Sequence, residues 1–300
     1  MLSIPTTILI TATIMVLFLQ NQKPHEPFDY INFNHTKNNG ITTTSTRIIG
    51  GTTAHWAKSY PWFVRLDKNH NSTNTCGGSL ITKDCVLTAA HCVEDIKPTQ
   101  VRIGQDELRN VSKVIMHPNF RKTPKKAVSD IALIFLEKPS SKTPVRLLSS
   151  VPKKGTDVTI IGFGKDAPWT KEEDELNQKN PNAYYGVKDL QKTRLKVTDF
   201  KNCGTIQMNN DTKGSVKIKT LLDFTCLTSP SSGACNGDSG GPVILWKNDI
   251  PYVFGVTSFG IPGCRSYKKY GYSVLYTDVT QYDGWIRQNV RKYGKHSLRS

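Results

Sequence analysis

Residues 233–242 read Gly233-Ala234-Cys235-Asn236-Gly237-Asp238-Ser239-Gly240-Gly241-Pro242, and this stretch restricts the fold more than any other part of the chain. A serine set among glycines sits in a tight turn. Glycines there can take positive φ and let a carbonyl approach the backbone N–H groups closely. A carbonyl attacked by Ser239 Oγ would leave an oxyanion facing the N–H groups of Gly237 and Ser239. A serine hydroxyl is a weak nucleophile and needs a base that works near neutrality, the range of histidine. The base needs a third group to fix its tautomer and stabilise the imidazolium. The fold must therefore carry a histidine and a carboxylate to this turn.

Two upstream segments offer them. One is Leu87-Thr88-Ala89-Ala90-His91-Cys92, and the other is Ser129-Asp130-Ile131-Ala132-Leu133-Ile134. Asp130 opens an apolar strand, so its carboxylate is carried into the interior, where it must be paired. The remaining histidines, His25, His35, His55, His70, His117 and His296, lack such a context and read as surface or structural. Taken alone, Gly-Asp-Ser-Gly-Gly also fits the Gly-x-Ser-x-Gly elbow of α/β-hydrolases. That fold runs serine, acid, histidine, whereas the order here is histidine, aspartate, serine.

On these three motifs the chain resembles the trypsin/chymotrypsin family of serine proteases, over residues 48–294. The resemblance implies an all-β fold of two six-stranded antiparallel Greek-key barrels with a C-terminal helix and the site at the barrel junction. It assigns catalysis to His91, Asp130 and Ser239, and the oxyanion hole to Gly237 and Ser239. It calls for no cofactor and no metal. The short loop between Gly104 and Val111 lacks the paired carboxylates that hold calcium in some relatives, although Asp106 and Glu107 are present. The competing class is a protease-like binding protein without activity, against which the intact residue set counts.

The hydropathy pattern is that of many short strands separated by turn residues. Strand-like runs fall at 62–66, 131–136, 158–161, 243–246 and 252–257. Near the end, Trp285, Ile286, Asn289, Val290 and Tyr293 have helical spacing. Residues 4–19 carry no charged side chain, which fits a signal peptide over 1–19 and secretion, with an uncleaved type II membrane anchor as the alternative. Residues 20–47 are polar and read as a propeptide, 48–294 as the protease domain and 295–300 as a basic tail. Arg47-Ile48-Ile49-Gly50-Gly51 matches the family's activation site. After cleavage the α-amino group of Ile48 would pair with Asp238.

Seven cysteines fit an oxidising compartment. Spacing alone cannot pair them; the resemblance implies Cys76–Cys92, Cys203–Cys226 and Cys235–Cys264. Cys85 is then left over, and its apolar surroundings in sequence read as a buried free thiol. Four Asn-x-Ser/Thr sequons, at Asn34, Asn71, Asn110 and Asn210, fit a secreted glycoprotein.

By resemblance, the substrate pocket is built from Gly233, Ala234, Asn236, Ser258, Phe259, Gly260 and Val274. Trypsin-like members carry aspartate where Gly233 stands. Without that carboxylate, burying a substrate cation is costly. Gly260 leaves the entrance open, and a branched Val274 makes the pocket shallow. The implied preference is for small or medium apolar residues, with large aromatic residues as the alternative. An acidic preference would follow only if Lys268 or Lys269 folds in. The long charged loop between Gly164 and Leu190 reads either as part of the active-site rim or as a solvated insertion.

The formal charge is +16. Basic residues cluster at Lys113, Arg121, Lys122, Lys125 and Lys126, and again at Arg287, Arg291, Lys292, Lys295 and Arg299. Such a field would concentrate the protein on polyanions, or it marks a cationic secreted protein with no such partner. Nothing resembles a specific nucleic-acid-binding module. The expected partners are protein or peptide substrates, an activating trypsin-like protease and protease inhibitors, and a monomer is expected.

Overall fold

Strands dominate because the apolar runs are short, rich in β-branched residues and broken by turns. A computed structural model describes residues 48–67, 75–123, 126–164, 189–199, 224–260, 264 and 272–299. The first half of the chain contains β1 (Thr52–Thr53), β2 (Phe63–Asp67), β3 (Thr75–Thr82), β4 (Cys85–Thr88), β5 (Gln100–Ile103) and β6 (Glu107–Met116). The hairpin β7 (Arg121–Thr123) and β8 (Lys126–Val128) follows, and then β9 (Ala132–Leu136). The second half contains β10 (Arg146–Leu147), β11 (Asp157–Gly162), β12 (Gln191–Thr198), β13 (Phe224–Ser229), β14 (Pro242–Lys247), β15 (Ile250–Gly260) and β16 (Tyr272–Asp278).

Six strands close the first barrel in the order β2-β3-β4-β9-β6-β5. The second barrel runs β12-β11-β14-β15-β16-β13 and closes through an antiparallel β12–β13 pairing. β1 adds to β12, and β10 lies parallel to β15. Closure removes the open edges that would otherwise pair with other chains. β12 shows the pattern plainly: Gln191, Thr193, Leu195 and Val197 point inward, while Lys192, Arg194 and Lys196 point out. β9 and β3 are buried along their whole length. Asn248 and Asp249, both at positive φ, form the two-residue turn from β14 to β15. Short polar side chains tolerate that conformation.

The two barrels meet through apolar side chains. Phe163, just after β11, packs on Phe63 of β2 with ring centroids 5.8 Å apart and on Trp56 at 4.9 Å. Burying each such ring contributes about 1.5–3 kcal/mol, so the junction is held by its own core. The C-terminal helix, Asp283–Tyr293, presses Ile286 and Val290 onto the first barrel's core. The half-buried Trp285 stacks edge-on against His117. Beyond the helix, the Lys295 N–H donates to Asp84 Oδ2 at 2.5 Å, and Arg299 Nη1 donates to the Pro144 carbonyl. The basic tail therefore lies along the body of the protein.

Candidate active site

His91 is the second residue of the helix Ala90–Ile96, which follows directly from β4. Cys92, the next residue, is disulfide-bonded to Cys76 of β3, so the helix start is tied to the sheet. Asp130 stands between β8 and β9, where Ser129 takes φ 49°. That left-handed residue turns the chain so that the Asp130 carboxylate enters the interior and is fully buried. There it accepts the His91 backbone N–H at 2.9 Å and meets His91 Nδ1 at 2.8 Å. Ser258 of β15 donates a third hydrogen bond to the same carboxylate, and Thr277 of β16 donates to the Asp130 carbonyl. Burial pushes the Asp130 carboxyl up, but the His91 charge and the His91 and Ser258 hydrogen bonds outweigh it and hold it below its ordinary value. Asp130 is thus an anion aimed at Nδ1, an arrangement that would leave Nε2 free to take a proton.

Ser239 lies in the turn before β14. Its carbonyl accepts the N–H of Gly77 in β3 at 2.7 Å, a hydrogen bond that crosses from one barrel to the other. The approach is possible only without side chains: a Cβ on Gly77 would lie 2.7 Å from Gly241 Cα, and one on Gly240 would lie 2.4 Å from Thr88 Oγ1. Gly240 also has φ 75°. The serine turn is thereby seated on Thr88 and Cys92, against the start of the His91 helix. No hydrogen bond joins His91 Nε2 to Ser239 Oγ among the described residues; Nε2 faces the Cys92 sulfur at 3.6 Å. Such bonds are often long before substrate binds. Gly237 takes φ 100°, and among the described residues neither its N–H nor that of Ser239 is engaged by a backbone carbonyl.

Asp238 points away from Ser239 into the second barrel and is buried. Its carboxylate accepts the N–H of Gly164 and of Cys235, both at 2.8 Å. Gly162 and Gly164 make room for it, since a Cβ on Gly162 would lie 2.0 Å from Oδ1, deep inside van der Waals contact. No cation among the described residues is paired with it. Burial therefore pushes its pKa up to about 7, against the two backbone hydrogen bonds. Ile48 is fully buried with φ 62°, a conformation that β-branched residues resist. Ile49 forms an antiparallel bridge with Gly233.

Of the predicted pocket residues, Gly233 and Ala234 are buried beside this N-terminal segment, and Asn236 is exposed. Gly260 of β15 lies directly opposite Val274 of β16 in the ladder. Val274 packs in the core cluster that also holds Ala234, Leu227 and Tyr276. Phe259 is the β15 partner of Leu275. Cys235 is bonded to Cys264, and Cys226 is also disulfide-bonded. Cys203 and Arg47, like Lys268, Lys269 and most of the 164–190 loop, lie outside the described residues, as do residues 1–47. Cys85 is free and buried, and burial, reinforced by Asp84, pushes its thiol well above its ordinary value. Asp106 is paired with Lys142, and Glu107 accepts from Ser141. Of the sequons, only Asn110 is described; it is exposed and hydrogen-bonded to Gln100 and Glu137.

The contacts of Ser258 and Thr277 with Asp130 had no signal in the sequence. They span 128 and 147 residues and come from strands of the other barrel.

The family model described as Trypsin matches residues 48–286. The chain belongs to the trypsin family. This is a family of serine endopeptidases, and its match begins at the buried Ile48. Among curated proteins, the chain is similar to vitamin K-dependent protein C of Mus musculus, at 28% identity across 83% of this chain and 53% of that protein. The protein of the same name from Rattus norvegicus matches at 28% identity across 81% of this chain and 52% of that protein. Phenoloxidase-activating factor 3 of Holotrichia diomphalia matches at 28%, across 82% of this chain and 73% of that protein. The chain therefore spans about half the length of the protein C relatives. No helix among the described residues is long and apolar enough to cross a membrane.

Proposed function

We propose that this trypsin-family chain is a secreted zymogen that becomes an active serine endopeptidase on cleavage after Arg47. The observation that carries the reading is the buried, anionic Asp130 hydrogen-bonded to His91 Nδ1 beside the Ser239 turn. In this mechanism Ser239 Oγ attacks the scissile carbonyl and its proton passes to His91 Nε2. Asp130 stabilises the imidazolium, and the N–H groups of Gly237 and Ser239 receive the oxyanion. Collapse of the tetrahedral intermediate delivers the His91 proton to the leaving amine and leaves an acyl group on Ser239. Water, deprotonated by the same histidine, then releases the acid.

Activation rests on Asp238. A buried carboxylate held at a pKa of about 7 is short of a counter-ion. Hydrolysis of the Arg47–Ile48 bond creates an α-ammonium at Ile48, a fully buried residue that packs in the core cluster holding Ala234, four residues before Asp238. It also abolishes the unfavourable φ of Ile48, because that torsion no longer exists. The resulting ion pair orients the turn from Gly237 to Ser239.

Gly233 offers no carboxylate to a cationic side chain, and Val274 fills space opposite Gly260. Both favour cleavage after small or medium apolar residues, with large aromatic residues as the alternative. Such a pocket binds Arg47 poorly, so a separate trypsin-like protease makes the activating cut. The expected state is a monomer acting on protein or peptide substrates, subject to protease inhibitors, with polyanions as further partners of its basic surface.

The test is labelling by an active-site-directed fluorophosphonate. Wild type treated with catalytic trypsin should label at Ser239, and untreated wild type and an uncleavable Arg47→Gln protein should not. Cleaved protein that exposes Ile48 yet stays unlabelled would mark an inactive, protease-like binding protein instead.

A further inference from the structure

A cavity of about 520 Å³ lies away from the active site. Its walls come from the segment before β2, the link between the barrels, the β14–β15 turn and the C-terminal tail. Ser239 precedes β14, and the cavity residues Trp246 and Asp249 lie at that strand's other end. Six residues at about 3.3 Å each put the two sites about 20 Å apart.

The lining combines three cations, Lys58, Arg146 and Arg299, with two indoles, Trp62 and Trp246, and one acid, Asp249. Most of the remainder is proline and aliphatic side chain. Trp246 is 39% exposed, and Tyr60 supports it edge-on with ring centroids 6.1 Å apart. Arg146 donates Nη1 to Tyr252 Oη at 3.2 Å, while its Nε is buried with no hydrogen-bond partner. Arg299 donates Nη1 to the Pro144 carbonyl at 3.1 Å. The tail that carries Arg299 is fastened by Asp84, which accepts the Lys295 N–H and lies 3.4 Å from His296 Nδ1. Each guanidinium carries five N–H donors, so both have donors beyond these bonds.

We propose that this cavity is a binding site for an acidic peptide segment of a partner protein, one that carries an aromatic side chain among its carboxylates. Cavities of this size bury an aromatic side chain, and the apolar walls and half-exposed indole suit a ring. Three cations against one acid leave the rim two charges positive, which suits flanking carboxylates. Guanidinium groups match carboxylates in fork geometry. A sulfated glycan has no apolar side chain to fill the walls. It is better served by the exposed Arg291 and Lys292 on the C-terminal helix, beside Arg287, which is ion-paired with Asp283. The site would hold a macromolecular substrate or partner at a distance from the scissile bond.

The experiment uses the full chain carrying Ser239→Ala, so that the probe is not cut. The probe is a fluorescein-labelled octapeptide with one phenylalanine and one tyrosine among glutamates, followed by anisotropy. Saturable binding is expected, with at least tenfold weaker binding of the glutamine analogue. Arg146→Gln and Trp246→Ala should each weaken the probe about tenfold, the range for losing a charged hydrogen bond or a central aromatic anchor. Lys58→Gln and Arg299→Gln, both at exposed positions, should keep the fold and weaken it about threefold. A heparin octasaccharide should bind with an affinity that Trp246→Ala leaves unchanged, without displacing the peptide. No binding of the acidic peptide at 1 mM, equal binding of the glutamine analogue, unchanged affinity in Trp246→Ala and Arg299→Gln, or displacement by heparin would each overturn the assignment.

Discussion

Replacing Asp238 by asparagine should change the stability of the uncleaved protein in opposite directions at acid and alkaline pH. The carboxyl is buried and its folded-state pKa is about 7, against an ordinary value of 3.8. The folded protein therefore binds a proton that the unfolded chain releases, and stability falls as pH rises from the unfolded value through the folded one. For that shift, the loss between pH 5 and pH 8 is about 3 kcal/mol. Asparagine is neutral throughout and escapes it. It keeps one acceptor oxygen for Gly164 or Cys235 but turns an N–H₂ toward the other donor. An unsatisfied buried pair of that kind costs about 1–3 kcal/mol. At pH 5 only this penalty operates, so the variant should be the less stable. At pH 8 the loss of about 3 kcal/mol in wild type exceeds this penalty, so the variant should be the more stable. The assay is urea unfolding at both pH values, in an Arg47→Gln background so that no α-ammonium forms. A wild-type-minus-variant difference that stays constant from pH 5 to pH 8 would refute the reasoning. The cleaved form should reverse the sign. There the α-ammonium of Ile48 stabilises the ionised carboxylate, and breaking one side of a buried pair costs about 3–5 kcal/mol. Trypsin-cleaved Asp238→Asn should accordingly stay poorly active.

Ser239→Ala should lower kcat/KM of the cleaved protein about 10⁴-fold or more with little change in melting temperature, because nucleophile, base and orienting acid act as a unit. Gly77→Ala should destabilise the protein by about 1–3 kcal/mol in urea and depress activity, since its Cβ meets backbone atoms of Gly241 that cannot swing aside. Gly233→Asp should weaken cleavage after apolar residues and admit some cleavage after arginine or lysine in a peptide-library profile. A wild-type preference for arginine would refute an apolar pocket built on Gly233.

The local chemistry of this protein is written in the chain. Glycines around Ser239 announce a tight turn, the apolar run after Asp130 announces a buried strand, and the order of His91, Asp130 and Ser239 separates one hydrolase architecture from another. The strand pattern from Ile48 onward and the apolar face of the last helix were legible for the same reason. Each depends on neighbours within a few residues, where periodicity of 2 or 3.6 acts directly. Contacts across the barrels carry no such signal. Ser258 and Thr277 reach Asp130 from strands more than a hundred residues away. Gly162 and Gly164 open the space that Asp238 fills, and Gly77 must lack a side chain for the serine turn to dock. Nor does composition reveal that the basic tail folds back to place Arg299 beside Arg146. Those features depend on which surfaces the two closed barrels bring together. Only the tertiary structure decides that, because burial and close backbone approach are properties of the packed chain and not of any segment alone.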